Sequence, residues 1–293
     1  MPAGGSDSNL LKPDHSISNR VRPSRSIDSK TALYTVIGDP VAHSLSPVMH
    51  NTAFAHTDHN GVYVALRVTD PVGALAGIRT LGIAGASVTI PHKTAVVDHL
   101  DQLDPAVEVI GAVNTIVNQN GKLIGYNTDG AGAVCALTAK TSLKYKRVTV
   151  IGAGGAARAI GYAVAKQGAQ VTIANRSTVR GQALAKDLQV GFLPLKEFTG
   201  DSCDVLINTT PVGMHPDTDA TPIDEAVLRP DMVVMDAVYN PLVTRLLRAA
   251  GRTGCITVSG ADMFVYQGAA QFELWTGRPA PVNVMRMAVL SAL

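Results

Sequence analysis

The sequence lacks a dominant charge, a long apolar run and an even set of cysteines. Its 25 Lys and Arg residues nearly balance 23 Asp and Glu residues, so we expect neither nucleic acid nor an anionic membrane as the main partner. No apolar run reaches the roughly 18 residues of a membrane span, and the N-terminus has no apolar core of a secretory signal. Cys135, Cys203 and Cys255 are far apart, which predicts reduced thiols rather than a disulfide framework. These absences favour a cytoplasmic protein whose partners are small molecules.

Clustered metal ligands are scarce as well. His50, His56 and His59 lie close together in the sequence, but neither an HExxH spacing nor a second ligand cluster accompanies them. We therefore predict no metal site. The sequence does not determine the oligomeric state, and both a monomer and a homodimer are left open.

What the chain does have is a dinucleotide-binding pattern over 147–158, where a buried strand, a glycine turn and a helix start follow one another. Gly152 allows the tight turn, Gly154 lets the backbone approach a pyrophosphate, and the small Ala157 lets the helix pack closely on its strand. The alternative is a chance match in a chain rich in glycine and alanine.

The end of the next strand predicts which nucleotide binds. A carboxylate at this place would accept hydrogen bonds from a ribose diol, whereas a 2′-phosphate requires cationic, forked donors. About twenty residues past the glycines the chain carries Arg176 and Arg180, and no acid stands beside them. This pattern favours NADP, and its alternative is a solvated pair of surface arginines.

Short apolar strands alternate with helical stretches from Thr31 onward, which predicts an α/β fold with parallel sheets. A chain of 293 residues suits two domains. We predict a polar tail over 1–30, a first α/β domain over 31–138, and a doubly wound, Rossmann-type NADP-binding domain over 139–262. The C-terminal segment 263–293 is predicted to form helices that return to the first domain.

The predicted strands of the first domain include an antiparallel pair at the sheet edge, because Asn120-Gly121 is a strong hairpin signal. The strands are 32–37, 62–66, 86–90, 113–117 and 122–126. Predicted helices begin near Ser46-Pro47, span 71–81, open at 92–94 after Pro91, and cover 131–139. Later strands are predicted at 169–174, 205–208 and 232–235.

Polar residues follow several of these strands directly, at the edge where open α/β sheets bind ligands. Lys93 is the most informative, because a lysine at a helix start is unfavourably placed beside the positive helix end. Paired with Asp129 from a neighbouring strand end, it would suit carbonyl reduction, in which a developing alkoxide needs a cation or a proton. In the alternative, Asp129 caps the next helix and Lys93 is a surface residue.

Ser44 and Ser46 form a second polar pair. Their side chains would point the same way if the segment is extended. Paired hydroxyls can bind a carboxylate without burying an ion pair. Ser46 before Pro47 is equally a candidate helix N-cap, and the sequence leaves both interpretations open.

Several motifs occur in the order typical of one family. They are 38–47 (GDPVAHSLSP), 87–93 (SVTIPHK), 111–115 (GAVNT), 126–130 (YNTDG), the glycine turn and Asn175-Arg176. From about residue 31 to its end, the chain resembles the shikimate dehydrogenase family. The resemblance implies an oxidoreductase acting on a CH–OH group, which reversibly reduces 3-dehydroshikimate to shikimate with NADP in the pathway to aromatic amino acids.

The family pattern also implies roles for individual residues. Lys93 and Asp129 would form the catalytic pair, and Ser44 with Ser46 would bind the substrate carboxylate. The remaining implied substrate contacts are Ser87, Thr89, Asn114, Tyr239 and Gln267. The implied cofactor contacts are Gly152, Ala153, Gly154, Gly155, Ala156, Asn175, Arg176, Ser177, Arg180, Thr209, Met214 and Gly260.

One position departs from the family pattern, since Ser87 stands where many bacterial members carry Asn. Three alternatives to a shikimate dehydrogenase follow from the sequence. One is a quinate/shikimate dehydrogenase with dual substrate or NAD use, another is a dehydrogenase for an amino-substituted ring, and the third is a non-catalytic, ligand-sensing homologue. Intact Lys93 and Asp129 argue against the last.

Overall fold

The computed structural model describes residues 27–293, and its 12 strands and nine α-helices form two six-stranded sheets with helices packed on them. Most of the predicted polar tail lies outside the described residues. The strands are β1 Ala32–Gly38, β2 Gly61–Arg67, β3 Gly85–Val88, β4 Gln102–Leu103, β5 Thr115–Gln119, β6 Lys122–Tyr126, β7 Arg147–Ile151, β8 Gln170–Asn175, β9 Gly191–Pro194, β10 Val205–Asn208, β11 Val233–Asp236 and β12 Ile256–Val258.

The helices of the described residues follow the strands in α/β alternation, which confirms the predicted fold class. They are α1 Ser46–His56, α2 Pro71–Thr80, α3 Pro105–Ile110, α4 Asp129–Thr138, α5 Gly155–Lys166, α6 Thr178–Leu188, α7 Arg245–Thr253, α8 Gly260–Thr276 and α9 Val282–Leu290. Within residues 27–293, none of them combines the length and apolar character needed to cross a membrane.

The first sheet has the strand order β2-β1-β3-β5-β6-β4. Strands β1, β2 and β3 are parallel, whereas β5 runs antiparallel to both β3 and β6. The predicted hairpin is therefore present, but it does not form the edge. The two-residue strand β4 pairs outside β6, because Asp104 N and Asp101 N bond to the carbonyls of Gly125 and Leu123.

Alternation along β1 sends side chains to opposite faces of the first sheet. Tyr34 and Val36 pack with α1, α8 and α9, while Ile37 packs in the core beneath α2. The two C-terminal helices contribute Phe272 and Met285 to the first of these cores. The chain therefore closes one face of its first sheet with its last two helices.

The second sheet is entirely parallel in the order β12-β11-β10-β7-β8-β9. This is the doubly wound order of dinucleotide-binding folds, in which ligands bind at the switch point beside the first strand. Here the switch point lies between the ends of β7 and β10. Side chains of β7 fill cores on both faces, with Val150 on one and Ile151 on the other.

No α-helix opens at 92–94, so that prediction is wrong. In a helix the Lys93 carbonyl would accept from the Val97 amide, but here it accepts from Val113 N at 2.7 Å, and Val97 N turns to the Thr94 carbonyl. The segment forms successive turns and a short 3₁₀ helix at Val97–His99. The hydrogen bond from Val113 N, in a neighbouring segment of the same chain, therefore replaces the helical bond that the local sequence predicts.

Helix α4 begins at Asp129, two residues before the predicted start, and connects the two sheets. Its glycines allow very close packing, since a Cβ on Gly130 would lie 2.5 Å from the Ala159 carbonyl of α5. A Cβ on Gly132 would lie 2.8 Å from the backbone of Gln267 on α8. The first turn of α4 is thereby held between α5 and α8.

Candidate active site

Lys93 and Asp129 meet where the first sheet faces the N-terminus of α5. Lys93 Nζ lies 2.5 Å from Asp129 Oδ2, and the two side chains are 20% and 7% exposed. The N-cap position of α4 is Thr128, with no side-chain capping bond. The structure thus brings the predicted pair together, and the carboxylate faces Lys93 instead of capping the helix.

Asn114 fixes the other carboxylate oxygen. Its Nδ2 donates to Asp129 Oδ1 at 2.8 Å and to Thr128 Oγ1 at 3.0 Å, and its Oδ1 accepts from Thr128 N at 2.8 Å. Gln267 of α8 is buried beside it, with Oε1 3.5 Å from Asn114 Nδ2. These four side chains form a polar cluster at the ends of strands and helices.

The two predicted carboxylate-binding serines lie in the turn between β1 and α1. Ser44 is half-buried and its Oγ accepts from Ser46 N at 3.3 Å. Leu45, with helical dihedral angles, is the N-cap of α1, and Ser46 is already the first helical residue. The segment is therefore not extended, and no side-chain cap involves Ser46.

The other predicted substrate contacts surround this polar cluster on separate elements. Ser87 is buried at the end of β3 and accepts from the Tyr63 hydroxyl at 2.6 Å. Thr89 follows it, half-buried against Gly38, where no side chain would fit. Tyr239 packs on Phe264 in a tilted arrangement with ring centroids 4.8 Å apart, and burial raises the pKa of its phenol, which remains a hydrogen-bond donor.

The glycine turn lies at the switch point of the second sheet. Gly152 has a φ of 118°, a conformation that favours glycine. A Cβ at this position would lie 2.5 Å from Thr209 Oγ1. Thr209 follows β10 and donates to the Ile151 carbonyl at 2.6 Å. Gly152 and Thr209 therefore form adjoining parts of one surface.

The N-terminus of α5 is open toward this surface. Gly154 is its N-cap, without a side-chain capping bond, and a Cβ there would contact nothing within 4 Å. A Cβ on Gly155 would lie 3.9 Å from Lys93 Cδ. Ala153 and Ala156 flank these glycines and are half-buried. The N–H groups of this helix end thus suit a pyrophosphate directly beside the Lys93–Asp129 pair.

Both predicted arginines are exposed at the end of β8. Ser177 caps α6 by accepting from Arg180 N at 3.4 Å, and Asn175 Nδ2 donates to the Ser177 carbonyl at 2.9 Å. Among residues 27–293 neither guanidinium pairs with a carboxylate, whereas Arg158 pairs with an acid at 2.7 Å. Arg176 also lines a cleft of about 610 Å³, together with Lys196 and Phe198.

The last two predicted cofactor residues follow strands β10 and β12 of the second sheet. Met214 is 43% exposed in the loop after β10. Gly260 begins α8, and its backbone packs so closely on the Val238 carbonyl that a side chain would clash.

Sequence reasoning missed three buried polar residues behind the site: Tyr63, Thr115 and Gln271. All three are hydrogen-bonded into the surroundings of Asn114 and Ser87. One signal was present, since Gln271 lies four residues after Gln267 and hence on the same helix face. Thr115 and Tyr63 lie within apolar strands and gave no such signal.

Comparison with known families supports the same arrangement. Residues 36–116 match the shikimate dehydrogenase substrate-binding domain, 135–215 match shikimate/quinate 5-dehydrogenase, and 260–290 match the shikimate 5′-dehydrogenase C-terminal domain. The shikimate dehydrogenase (NADP(+)) of Moorella thermoacetica is 46% identical over 281 residues, which are 91% of this chain and 95% of that protein.

Solved structures agree in fold over almost the whole chain. A shikimate dehydrogenase in complex with NADP+ has a TM-score of 0.87 at 43% identity and covers 91% of this chain and 97% of its own. The enzyme from Thermus thermophilus, in complex with NADP(H) and shikimate, has a TM-score of 0.85 at 37% identity, covering 90% and 100%. With this likeness in sequence and structure, the chain belongs to the shikimate dehydrogenase family.

Proposed function

We propose that this protein is an NADP-dependent shikimate dehydrogenase, which reversibly reduces 3-dehydroshikimate to shikimate on the route to aromatic amino acids. The observation that carries the proposal is the Lys93–Asp129 pair, 2.5 Å apart, directly beside the open N-terminus of α5. A proton source and a nucleotide-binding surface then face the same space, as a hydride-transfer reaction requires.

The described residues fit NADP. Gly154 leaves room for a pyrophosphate at the helix end, and the exposed guanidinium groups of Arg176 and Arg180, which form no ion pair within residues 27–293, suit a 2′-phosphate. Ser177, Thr209, Met214 and Gly260 complete the proposed surface. When bound, NADPH supplies the hydride for the ring ketone.

Lys93 would act at the ketone oxygen. Reduction develops negative charge there, and the Lys93 ammonium group supplies a positive charge or a proton. Asp129 accepts from Lys93 Nζ and from Asn114 Nδ2, so its carboxylate is held on both oxygens. In oxidation of shikimate the same pair would take up the hydroxyl proton.

Substrate recognition is assigned to side chains around this pair. Ser44 and Ser46 would bind the remote carboxylate with Tyr239 nearby, and this contact would align the ring. Thr89, Asn114 and Gln267 would hold the ring hydroxyls. Ser87, where many bacterial members carry Asn, already accepts from Tyr63, and its remaining capacity for the substrate is correspondingly small.

The direct test follows the absorbance of reduced nicotinamide in four assays, with shikimate or quinate against NADP or NAD. We expect rapid turnover with shikimate and NADP only. Comparable turnover with quinate or NAD would favour the dual-specificity alternative. Shikimate binding without turnover in any assay would favour the ligand-sensing alternative.

Two further proposals concern the setting of the protein. Cys135, Cys203 and Cys255 are free thiols, which supports a reducing compartment and the cytoplasm in particular. A homodimer is the assembly we propose to test, and light scattering on the purified protein distinguishes it from a monomer.

A further inference from the structure

A buried series of hydrogen bonds begins at Tyr63, behind the serine pair. The Tyr63 hydroxyl donates to Ser87 Oγ at 2.6 Å. Ser87 Oγ in turn donates to Gln271 Oε1 at 2.9 Å. Tyr63, Ser87 and Gln271 are at most 6% exposed, so water does not compete for these bonds.

The series continues from Gln271 to the catalytic pair. Gln271 Nε2 donates to Thr115 Oγ1 at 3.0 Å, and Thr115 Oγ1 donates to Asn114 Oδ1 at 2.7 Å. Asn114 Nδ2 donates to Asp129 Oδ1 at 2.8 Å, and Asp129 Oδ2 accepts from Lys93. The bonds therefore run without interruption from one proposed substrate contact to the catalytic lysine.

The direction of donation from Tyr63 to Asp129 is the same at every link. Ser87 and Thr115 each have a single hydroxyl hydrogen, and both hydrogens are committed, to Gln271 and to Asn114. The Asn114 carbonyl beside Gln271 can only accept, so Gln271 presents its nitrogen on the side of Asn114 and Thr115 and its oxygen to Ser87. Its nitrogen also donates to the Asn114 carbonyl at 3.2 Å, which fixes the backbone of the same residue.

We propose that Gln271 is a positioning residue for the catalytic pair. By orienting Thr115 and the Asn114 backbone, it keeps the Asn114 amide nitrogen aimed at Asp129, and so keeps Asp129 facing Lys93. Gln271 is 1% exposed and touches neither charge of the pair. This inference rests on the proposed function, because it concerns the same reaction.

The test is the substitution Gln271→Met, which keeps the side chain's length and removes its hydrogen bonds. Asn114 Oδ1 would still accept from Thr128 N, so the loss should be moderate. We expect kcat with shikimate and NADP to fall about 10-fold, the effect of one or two buried neutral hydrogen bonds. KM for NADP should stay within about twofold, because the nucleotide surface is untouched.

A double-mutant cycle separates positioning from a general loss of structure. If Gln271 acts through Asp129, Gln271→Met should lower kcat less than about twofold further in an Asp129→Asn background. A full 10-fold loss in that background would overturn the proposal. A folded Gln271→Met protein with the kcat of the wild type would overturn it as well.

Two variants keep the test decisive if Gln271→Met does not fold. Thr115→Val removes the hydroxyl that joins Gln271 to Asn114 and should reproduce the loss of kcat. Thr115→Ser retains this hydroxyl and should keep kcat close to that of the wild type. Failure of Thr115→Val to lower kcat would contradict the proposal. The matched control is Trp275→Phe, which removes another bond between α8 and β5, from Trp275 Nε1 to the Ile116 carbonyl at 3.0 Å.

Trp275→Phe should lower stability and leave kcat within about twofold of the wild type, since its bond does not reach Asn114. A loss of kcat equal to that of Gln271→Met would show that any weakening of α8 has the same effect, and would overturn the proposal. The assay of the wild-type protein distinguishes failure of the proposed function from failure of the role proposed for Gln271. Inactivity of the wild type with shikimate and NADP would overturn the proposed function itself.

Discussion

Lys93 and Asp129 are opposite charges with little access to solvent, so removing either leaves the other without its partner. We predict that Lys93→Ala and Asp129→Asn each lower kcat by about 10² or more. KM should change much less, because the pair acts chiefly as charge develops on the substrate oxygen. Steady-state kinetics with shikimate and NADP, on variants shown to be folded, measures both constants.

The matched control is Arg147→Ala, which breaks an ion pair of similar length, 2.6 Å to Asp204, at the opposite end of β7. It should leave kcat unchanged. A folded Lys93→Ala protein with nearly full kcat would refute the assignment of Lys93.

The serine pair gives a separate prediction, in which binding and not catalysis changes. Ser44→Ala and Ser46→Ala should each raise KM for shikimate about 10-fold or more, the effect of one hydrogen bond to a charged group. Ser46→Ala should lose no helix cap, because Leu45 is the N-cap of α1 and makes no side-chain capping bond. Ser44→Ala also loses the bond that Ser44 Oγ accepts from Ser46 N. KM for NADP should stay constant. Variants that lost thermal stability alone, with KM for shikimate unchanged, would contradict the assignment.

At the level of single residues, the sequence predicted that Lys93 and Asp129 lie together, but the helix start on which the choice of Lys93 was based is absent. Lys93 was selected as a lysine at a predicted helix start, whereas the structure forms a turn at this residue. The pairing with Asp129 depended only on two strand ends lying at one sheet edge, which the α/β alternation fixes. Gln271 was not predictable, because its partners Ser87 and Thr115 lie 184 and 156 residues away in sequence.

Among the elements, the end of β8 and the start of α6 determine nucleotide choice. Arg176 and Arg180 form no ion pair with a carboxylate among the described residues, although Asp224 lines the same cleft as Arg176. We predict a preference for NADP over NAD of at least about tenfold in kcat/KM, since charge-assisted contacts are partly screened at an exposed site. The double variant Arg176→Ala, Arg180→Ala should lose most of this preference and keep its turnover with NAD. Rising salt should weaken the wild-type preference.

Lys186→Ala provides the control for this prediction, because Lys186 is an exposed cation in the last turn of the same helix. It should retain the preference for NADP. Equal kcat/KM values for NAD and NADP in the unmodified protein would contradict the prediction and favour the quinate/shikimate alternative.

Elements with a strong local signal were predictable, and those governed by distant contacts were not. The hairpin of β5 and β6 follows from Asn120-Gly121, where both residues have positive φ angles. The helix predicted at 92–94 does not form, because the backbone N–H of Val113, twenty residues further on, donates to the Lys93 carbonyl. Strand β4 has only two residues and carries no periodic signal.

The two sheets are joined by helices that belong to neither sheet alone. Helix α4 packs on α5 and α8, while α8 contributes Met263 to the core of the second sheet and Phe272 to that of the first. The sequence predicted a C-terminal return from the absence of further strands. It did not predict that α8 would carry Gln267 and Gln271 to the surroundings of Lys93 and Asp129, since this depends on the register of packing between helices.

Asp236 links the stability of the whole molecule to pH. It is fully buried at the end of β11, where it accepts from Asn208 Nδ2 at 2.9 Å, Thr244 Oγ1 at 2.7 Å and Val238 N at 3.0 Å. Burial raises the pKa of Asp236 to about 6, against the opposing effect of these donors. The native state therefore retains a proton that the unfolded chain has already released at the ordinary pKa of 3.8.

The consequence is a loss of stability as pH rises. Below pH 3.8 both states hold the proton, so the stabilising contribution of Asp236 is complete, and it disappears as pH rises through about 6. The whole difference in pKa corresponds to about 3 kcal/mol in the free energy of unfolding, of which about 2 kcal/mol falls between pH 4 and pH 6. The contribution of Asp204 to stability depends on pH in the opposite direction. Arg147 lowers the pKa of Asp204 to about 2, so this contribution is lost as pH falls from 3.8 through about 2.

We therefore predict that the difference in unfolding free energy between wild type and Asp236→Asn changes by about 2 kcal/mol between pH 4 and pH 6, in the direction of a relatively less stable wild type at the higher pH. Denaturant unfolding at several pH values measures this difference, and subtraction removes the titration of all other groups. The control Asp204→Asn should give a difference curve that is nearly flat between pH 4 and pH 6 and changes chiefly in more acidic solution. A flat curve for Asp236→Asn over the same interval would mean that its three donors fully offset the burial of the charge, and that Asp236 is ionised in the native protein throughout.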